Sequence, residues 1–205
     1  MKTKNACLFI SFVITFFLLA TQLNAQKIEL SPFIGYETGA NIHTDLGELH
    51  VGDGMNFGGS LNVGMGGGRY GEFSYSHMAS YLSLEGVLVH ERVDLAVDYY
   101  SFGVLQEMKP EAKATPYGLF TFGWVNYRLS GDYSNENKMH ISLAGGMKIR
   151  ASEKIGLRLQ ARLLMPLYYA GTYFSAGSGG AGYGVSGGII GVQGDFSAAL
   201  VINLR

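Results

Sequence analysis

The sequence predicts an all-β protein: a closed, antiparallel, eight-stranded transmembrane up-and-down β-barrel, preceded by a cleaved signal peptide. Three observations carry this. Residues 1–25 have the layout of an export signal. The remainder alternates between apolar and polar residues with period two in eight segments. Beyond Ala25 no apolar run is long enough for a membrane-spanning helix.

The export signal comes first. Lys2 and Lys4 open the chain, an uncharged run rich in Phe, Leu and Ile extends from Ala6 to Leu23, and Leu23-Asn24-Ala25 sets a small residue ahead of Gln26. Cleavage is expected after Ala25. A retained transmembrane helix is the competing interpretation, since the run is about long enough to span. The strand-like alternation that follows favours export. The expected division is therefore a signal peptide, 1–25, and one outer-membrane β-barrel domain, 26–205. Cys7, the one cysteine in the sequence, lies inside the signal and ahead of its apolar run. That argues against a lipoprotein anchor and leaves the mature chain with no disulfide, zinc knuckle or thiol nucleophile. Loss of Lys2 and Lys4 makes the mature chain more acidic than the formal charge of −1 of the whole. No basic patch points to nucleic acid. The 30 glycines against 4 prolines, together with 13 Tyr and 12 Phe, suit a closed antiparallel barrel, which needs bends and interfacial aromatics.

The eight segments follow in order. Over 28–36 Ile28, Leu30, Pro32, Ile34 and Tyr36 share one face, with Glu29, Ser31 and Gly35 on the other. Over 55–65 Met55, Phe57, Leu61, Val63 and Met65 oppose Asn56, Ser60 and Asn62. Over 71–77 Phe73 and Tyr75 oppose Glu72, Ser74 and Ser76, and over 92–99 Val93, Leu95, Val97 and Tyr99 oppose Arg92, Asp94 and Asp98. The segment 115–128 alternates weakly, because Phe120, Phe122 and Trp124 share a face with Asn126 and Arg128; its length and aromatic content still make it a strand. Met139, Ile141, Leu143, Met147 and Ile149 then oppose His140, Ser142, Lys148 and Arg150. Ile155, Leu157, Leu159, Leu163, Met165 and Leu167 oppose Arg158, Gln160 and Arg162. The last segment sets Val192, Phe196, Ala198, Leu200, Ile202 and Leu204 against Gln193, Asp195, Ser197 and Asn203. Each segment suits a tilted membrane strand of about 9–11 residues.

Alternation alone does not say which face points inward, since a soluble lipocalin also alternates. Here the apolar face runs unbroken along whole strands, and no lipocalin-type Gly-x-Trp opening or cysteine pair is present. The apolar face is therefore expected to meet lipid, with Leu95, Leu143, Leu159 and Leu200 touching hydrocarbon. Connections support this. Four are long (38–54, 79–91, 129–137 and 169–190), whereas Gly66-Gly67-Gly68 and Ser152-Glu153-Lys154 are tight and Gln106 to Ala114 is intermediate. Long links at one rim and short turns at the other put both termini on the periplasmic side. The glycine-rich stretch Gly177–Gly184 reads as a mobile loop, and Tyr36, Phe57, Tyr81, Tyr127, Tyr168 and Tyr169 as an aromatic belt. Residues 79–90 read as a protruding hairpin, turning at Glu85-Gly86, with a bulge near Met78 or Ala79.

With this signal, these eight segments and the terminal strand from Val192 to Arg205, the chain resembles the OmpA-like and OmpX-like small outer-membrane β-barrels, in particular the Gly- and Tyr-rich stand-alone ones. The resemblance spans essentially all of 26–205. It implies an outer-membrane location, contact with outer-membrane lipid, a monomer, and handling by the export and barrel-assembly machinery, which would read the terminal strand. This strand departs from the family pattern in ending on Leu204-Arg205 instead of a terminal aromatic. A cell-wall tether through a downstream peptidoglycan-binding domain is not expected.

The polar face supplies a candidate lumen charge network: Glu29, Glu72, Asp94, Asp98, Lys148, Arg150, Arg158, Arg162 and Asp195. An eight-stranded barrel has room inside only for side chains, and a charge there costs several kcal/mol unless paired. A salt-bridge network filling the barrel is the expectation, with Arg158 and Arg162 meeting Glu29 and Asp195. A narrow gated path through the same residues is the alternative. His43 and His50 sit with Asp45, Glu48 and Asp53 in the first long link, but without tight ligand spacing, so no metal or other cofactor is expected. Ser76 and His77 point to opposite faces of their strand and cannot form a nucleophile–base pair with each other, so no catalytic residues are expected. The function read from these features is a structural or interaction role, non-enzymatic, with surface loops displayed for envelope integrity, adhesion or docking of an extracellular partner. A low-conductance porin-like channel is the second possibility and an outer-membrane lipid-modifying enzyme the third.

Overall fold

The computed structural model describes residues 27–44, 47–85, 90–130, 135–177, 180–189 and 191–204, without the side chains of 40–50, 82–93 and 168–190. The expected signal peptide lies outside the described residues. Among those described, the regular elements are all strands: β1 (Ile28–Glu37), β2 (Ala40–Thr44), β3 (Gly47–Val51), β4 (Gly54–Gly66), β5 (Arg69–Glu85), β6 (His90–Glu107), β7 (Ala114–Leu129), β8 (Glu136–Arg150), β9 (Ile155–Gly177), β10 (Gly180–Ile189) and β11 (Gln193–Asn203).

Eight of these, β1, β4, β5, β6, β7, β8, β9 and β11, pair antiparallel in that order, and β11 returns to β1. The barrel is closed. Starting at Glu29 and following paired residues through Asn62, Glu72, Gly103, Thr121, Ser142 and Leu164 leads to Gln193. Gln193 stands beyond Asp195, the partner of Glu37. One circuit thus climbs β1 from Glu29 past Glu37, the stagger that tilts strands in a closed barrel.

Side chains divide by strand parity. Ile34, Phe57, Phe122, Leu143, Leu159 and Leu200 are exposed on the outside, while Ser31, Asn62, Glu72, Ser142, Arg158 and Asp195 are buried inside. This is the inverse of a soluble barrel. β6 departs from its expected phase: Leu95, Val97 and Tyr99 face inward, and Tyr100, Phe102 and Val104 face out. The cause lies inside the barrel, where Leu95, Val97 and Tyr99 pack with Val51, Met78, Val125 and Leu164 in an apolar cluster at the long-hairpin end. Tyr127 joins this cluster from within and belongs to no outer belt.

The long links are mostly sheet. β5 and β6 stay in register from Arg69↔Gln106 to Glu85↔His90, so there is no bulge at Met78 or Ala79, and the connection spans 86–89, outside the described residues. A two-residue turn at Glu85-Gly86 is ruled out, since Glu85 still pairs with His90. β2 and β3 form a hairpin whose second strand adds to β5, from Glu48↔Glu85 to Val51↔Leu82. The stretch expected as a mobile loop contributes the end of β9 and the start of β10, paired from Gly180↔Gly177 to Ile189↔Leu167. At the opposite end the turns are tight. Gly66, Gly67 and Gly68 all have positive φ (85°, 61° and 74°), which side chains disfavour.

Candidate functional site

Among the described residues the lumen holds most of the buried charge, in layers set by strand stagger. Nearest the termini, Lys148 on β8 places Nζ 2.6 Å from Glu29 Oε2 and 3.0 Å from Glu107 Oε1. Arg150 donates to Glu107 Oε2 at 3.0 Å and to the Ala112 carbonyl at 2.9 Å. The Tyr70 ring lies 4.3 Å from the Lys148 ammonium, adding a cation–π face.

In the next layer Arg158 on β9 reaches Glu72 on β5 with two nitrogens, at 2.7 and 3.4 Å. Its Nε donates to the Tyr117 hydroxyl at 2.9 Å, and that hydroxyl donates to Gln160 Oε1 at 3.0 Å. Arg158 also donates to Gln160 directly. Above this, Arg162 donates to Asp195 at 3.2 Å, while Asn56 donates to both Asp195 and Glu37. Tyr99 reaches Gln193 on the opposite wall at 2.7 Å. A space among these inner charges, bounded by Phe33, Glu72, Arg158, Arg162 and Ser197, is about 10 Å³. That is room for about one water molecule.

The structure therefore brings together Glu29, Glu72, Lys148, Arg150, Arg158, Arg162 and Asp195, with a different pairing from the one expected for Arg158: its carboxylate is Glu72, and Glu29 belongs to Lys148. Two members of the expected network lie elsewhere. Asp94 is exposed on the outer face, and Asp98, although only 3 % exposed, is also outward, because it pairs with the outward His77. Both corrections follow from the inverted phase of β6. Conversely, Glu37 and Glu107 are buried lumen carboxylates that the sequence reading omitted. Glu37 has the same odd parity as Glu29, so extending β1 by one residue would have found it. Glu107 was hidden by the phase error.

Asp98 forms its own cluster on the outer wall. His77 Nδ1 and the Tyr75 hydroxyl both lie 2.8 Å from Oδ1, and Arg128 lies 2.6 Å from Oδ2. The Phe57 ring packs on His77 at 5.1 Å. Ser76 is buried inside, so it and His77 do occupy opposite faces. A different serine–histidine contact exists in the lumen, Ser101 Oγ to His140 Nε2 at 3.0 Å. Both residues are buried and His140 Nδ1 has no partner among the described residues, so no carboxylate orients the ring there as a base. No group of three or more His, Cys, Asp or Glu able to share a metal ion occurs among the described residues. Asp53 from the His43–His50 link accepts from Tyr36 and from the Gly39 amide.

No family model matches the sequence, and no curated protein does. Solved structures do match. The crystal structure of Neisserial surface protein A (NspA) aligns with 86 % of this chain and 97 % of its own, at 11 % identity and a TM-score of 0.58. The outer membrane protein OprG from Pseudomonas aeruginosa aligns over 86 % and 95 %, at 10 % identity and a TM-score of 0.61. Outer membrane protein AlkL, solved by solid-state NMR in DMPC lipid bilayers, aligns over 88 % and 91 %, at 12 % identity and a TM-score of 0.50. The chain has the fold of the small eight-stranded outer-membrane β-barrels.

Proposed function

We propose that this chain is an exported outer-membrane barrel whose lumen is a sealed structural core, and that its work is done by the hairpins it holds outside the membrane. The exposed apolar girdle supports placement in hydrocarbon, because a surface of Phe, Leu and Trp is stable only when lipid covers it. The short turns and both termini then lie on the periplasmic side, and the β2–β3, β5–β6 and β9–β10 hairpins project outward. The fold likeness to proteins described as outer-membrane or surface proteins supports the same placement.

The observation carrying the sealed-core reading is the filling of the lumen. Ion pairs occupy its charged layers, Lys148–Glu29 and Arg158–Glu72 across the barrel and Arg162–Asp195 between neighbouring strands, and the apolar cluster of Met78, Leu95, Val97, Val125 and Leu164 caps them at the hairpin end. An ion passing through would need both to part. Planar-bilayer recording from the purified barrel tests this. No discrete conductance steps are expected, and reproducible steps abolished by closing the Arg162–Asp195 layer would favour the narrow channel instead. Lipid-modifying chemistry finds no support at the buried Ser101–His140 contact, where no carboxylate orients the ring. Partner docking through the hairpins is the remaining role, with envelope stability as its minimal form.

A further inference from the structure

The Asp98 cluster does not belong to the lumen, and its place on the outer wall is costly unless it has a use. We propose that His77 and Arg128, held by Asp98, form a binding site for the phosphate group of an outer-leaflet lipid. This rests on the membrane placement above.

Height on the wall supports it. Outward residues along β7 run Phe120, Phe122, Trp124, Asn126, Arg128, so the apolar band gives way to polar groups just past the tryptophan. Asp98 pairs with Asn126 and with His77, which puts the cluster at the upper border of that band. Lipid phosphates lie at this level of a bilayer, immediately outside the hydrocarbon. Beneath the cluster Phe73 and Phe102 pack at 4.9 Å and Tyr75 and Tyr100 at 5.2 Å, an aromatic slab suited to the start of an acyl chain.

The internal geometry supports it as well. Asp98 uses both oxygens within the cluster, taking Tyr75 and His77 on one and Arg128 on the other. It therefore orients the two basic side chains without blocking their far edges. The Arg128 side chain is half exposed, and among the described residues Asp98 is its one charged partner. With Nδ1 committed to Asp98, His77 presents Nε2 away from the carboxylate. A planar guanidinium and an imidazole held on either side of one carboxylate offer a phosphate two charge-assisted hydrogen bonds. Around His77 on this outer face stand Phe57 and Asp98 across the strands and, along β5, Tyr75, whose hydroxyl donates to Asp98, and Ala79.

The test uses the full mature barrel, first inserted into phosphatidylcholine vesicles and checked for heat-modifiable migration, then transferred to detergent for native mass spectrometry with added lipid. Bis-phosphorylated lipid A, its dephosphorylated form and phosphatidylglycerol serve as probes, separating a phosphomonoester from a phosphodiester source. Retention of at least one phosphorylated lipid is expected, with a loss of about tenfold or more for Arg128→Gln and for His77→Gln, and a smaller loss for Arg128→Lys. Equal retention of dephosphorylated lipid A, or phosphorylated lipid unaffected by both glutamine variants, would overturn the site while leaving the membrane barrel standing. A lipid mass reduced by a lost acyl chain would overturn passive binding. Failure to insert into vesicles at all would instead remove the membrane placement, and the site with it.

Discussion

Arg158 and Glu72 meet across the full width of the barrel: β9 and β5 stand four strands apart in a ring of eight, yet two guanidinium nitrogens lie 2.7 and 3.4 Å from the carboxylate. The pair is a strut between opposite walls. Tyr99 and Gln193 form a second, also between opposite strands, and Lys148 ties β8 to both β1 and β6.

Glu72→Gln should therefore destabilise the barrel by about 3–5 kcal/mol, because it leaves the Arg158 guanidinium buried without its counter-charge. Glu72→Leu combined with Arg158→Met should recover a large part of that loss, since both charges are then gone. Urea titrations of vesicle-inserted protein measure both. A double variant as unstable as the sum of the two single ones would mean that the pair is not coupled.

The exterior makes a separate prediction. Leu159 and Leu143 are exposed in the middle of the apolar girdle, and Met65 is exposed beside the Gly66-Gly67-Gly68 turn. Arg in place of Leu143 or Leu159 should cost about 2–4 kcal/mol, and Arg at Met65 about 0–1 kcal/mol. Equal costs at the two depths would contradict a hydrocarbon environment. Leu95, expected from sequence to join this set, faces the lumen cluster, so Leu95→Ala should instead destabilise as a core truncation, by about 2–5 kcal/mol.

Two glycines on β7 allow a matched comparison. A Cβ on Gly123 would stand 1.8 Å from the Tyr100 carbonyl oxygen, whereas one on Gly118 would meet nothing within 4 Å. Gly123→Ala requires the β6–β7 backbones to separate and should cost at least about 1–3 kcal/mol. Gly118→Ala should fall within about 0.5 kcal/mol of the parent. Comparable folding midpoints for the two variants would show that the close approach of these strands is not needed.

The same contrast shows what could be read from the chain without its fold. Where the lumen is polar and the outside apolar, as along β1, β4, β9 and β11, parity alone placed Glu29, Asn62, Arg158 and Asp195 inside. At the hairpin end the inner face turns apolar while the outer face leaves the girdle. There Leu95, Val97 and Tyr99 look like lipid-facing residues, and Asp98 looks like a lumen acid. The inverted phase of β6 and the supposed bulge at Met78 have this one cause. The identity of ion-pair partners was not legible for another reason. Arg158 meets Glu72 and not Glu29 because of the stagger around the whole barrel, which no local pattern encodes.

The last prediction concerns the sheet beyond the barrel rim. Residues 82–85 of β5 pair with β6 on one side and β3 on the other, while among the described residues His90–Val93 of β6 pair only with β5, since β7 begins its pairing with β6 at Leu95↔Leu129. Among the described residues β2 lies at the outer edge, joined only to β3. Protection from amide exchange should follow this order in the folded protein: slow at Leu82–Glu85, intermediate and alternating along His90–Val93, fast in Ala40–Thr44. Uniformly fast exchange from Ala79 through Glu85 would show that no projecting sheet persists. An edge strand such as β2 offers unpaired backbone groups to a partner's extended segment, so strand addition is the recognition mode this layer would use. Deleting 82–89 removes the strand to which β3 is anchored, and with it the support of that edge. Binding of any surface partner should then be lost while heat-modifiable barrel folding is retained, because the closed ring from Arg69 to Tyr81 and from Asp94 to Glu107 is untouched. Loss of barrel folding in the same variant would show instead that the projecting sheet is part of the barrel's own stability.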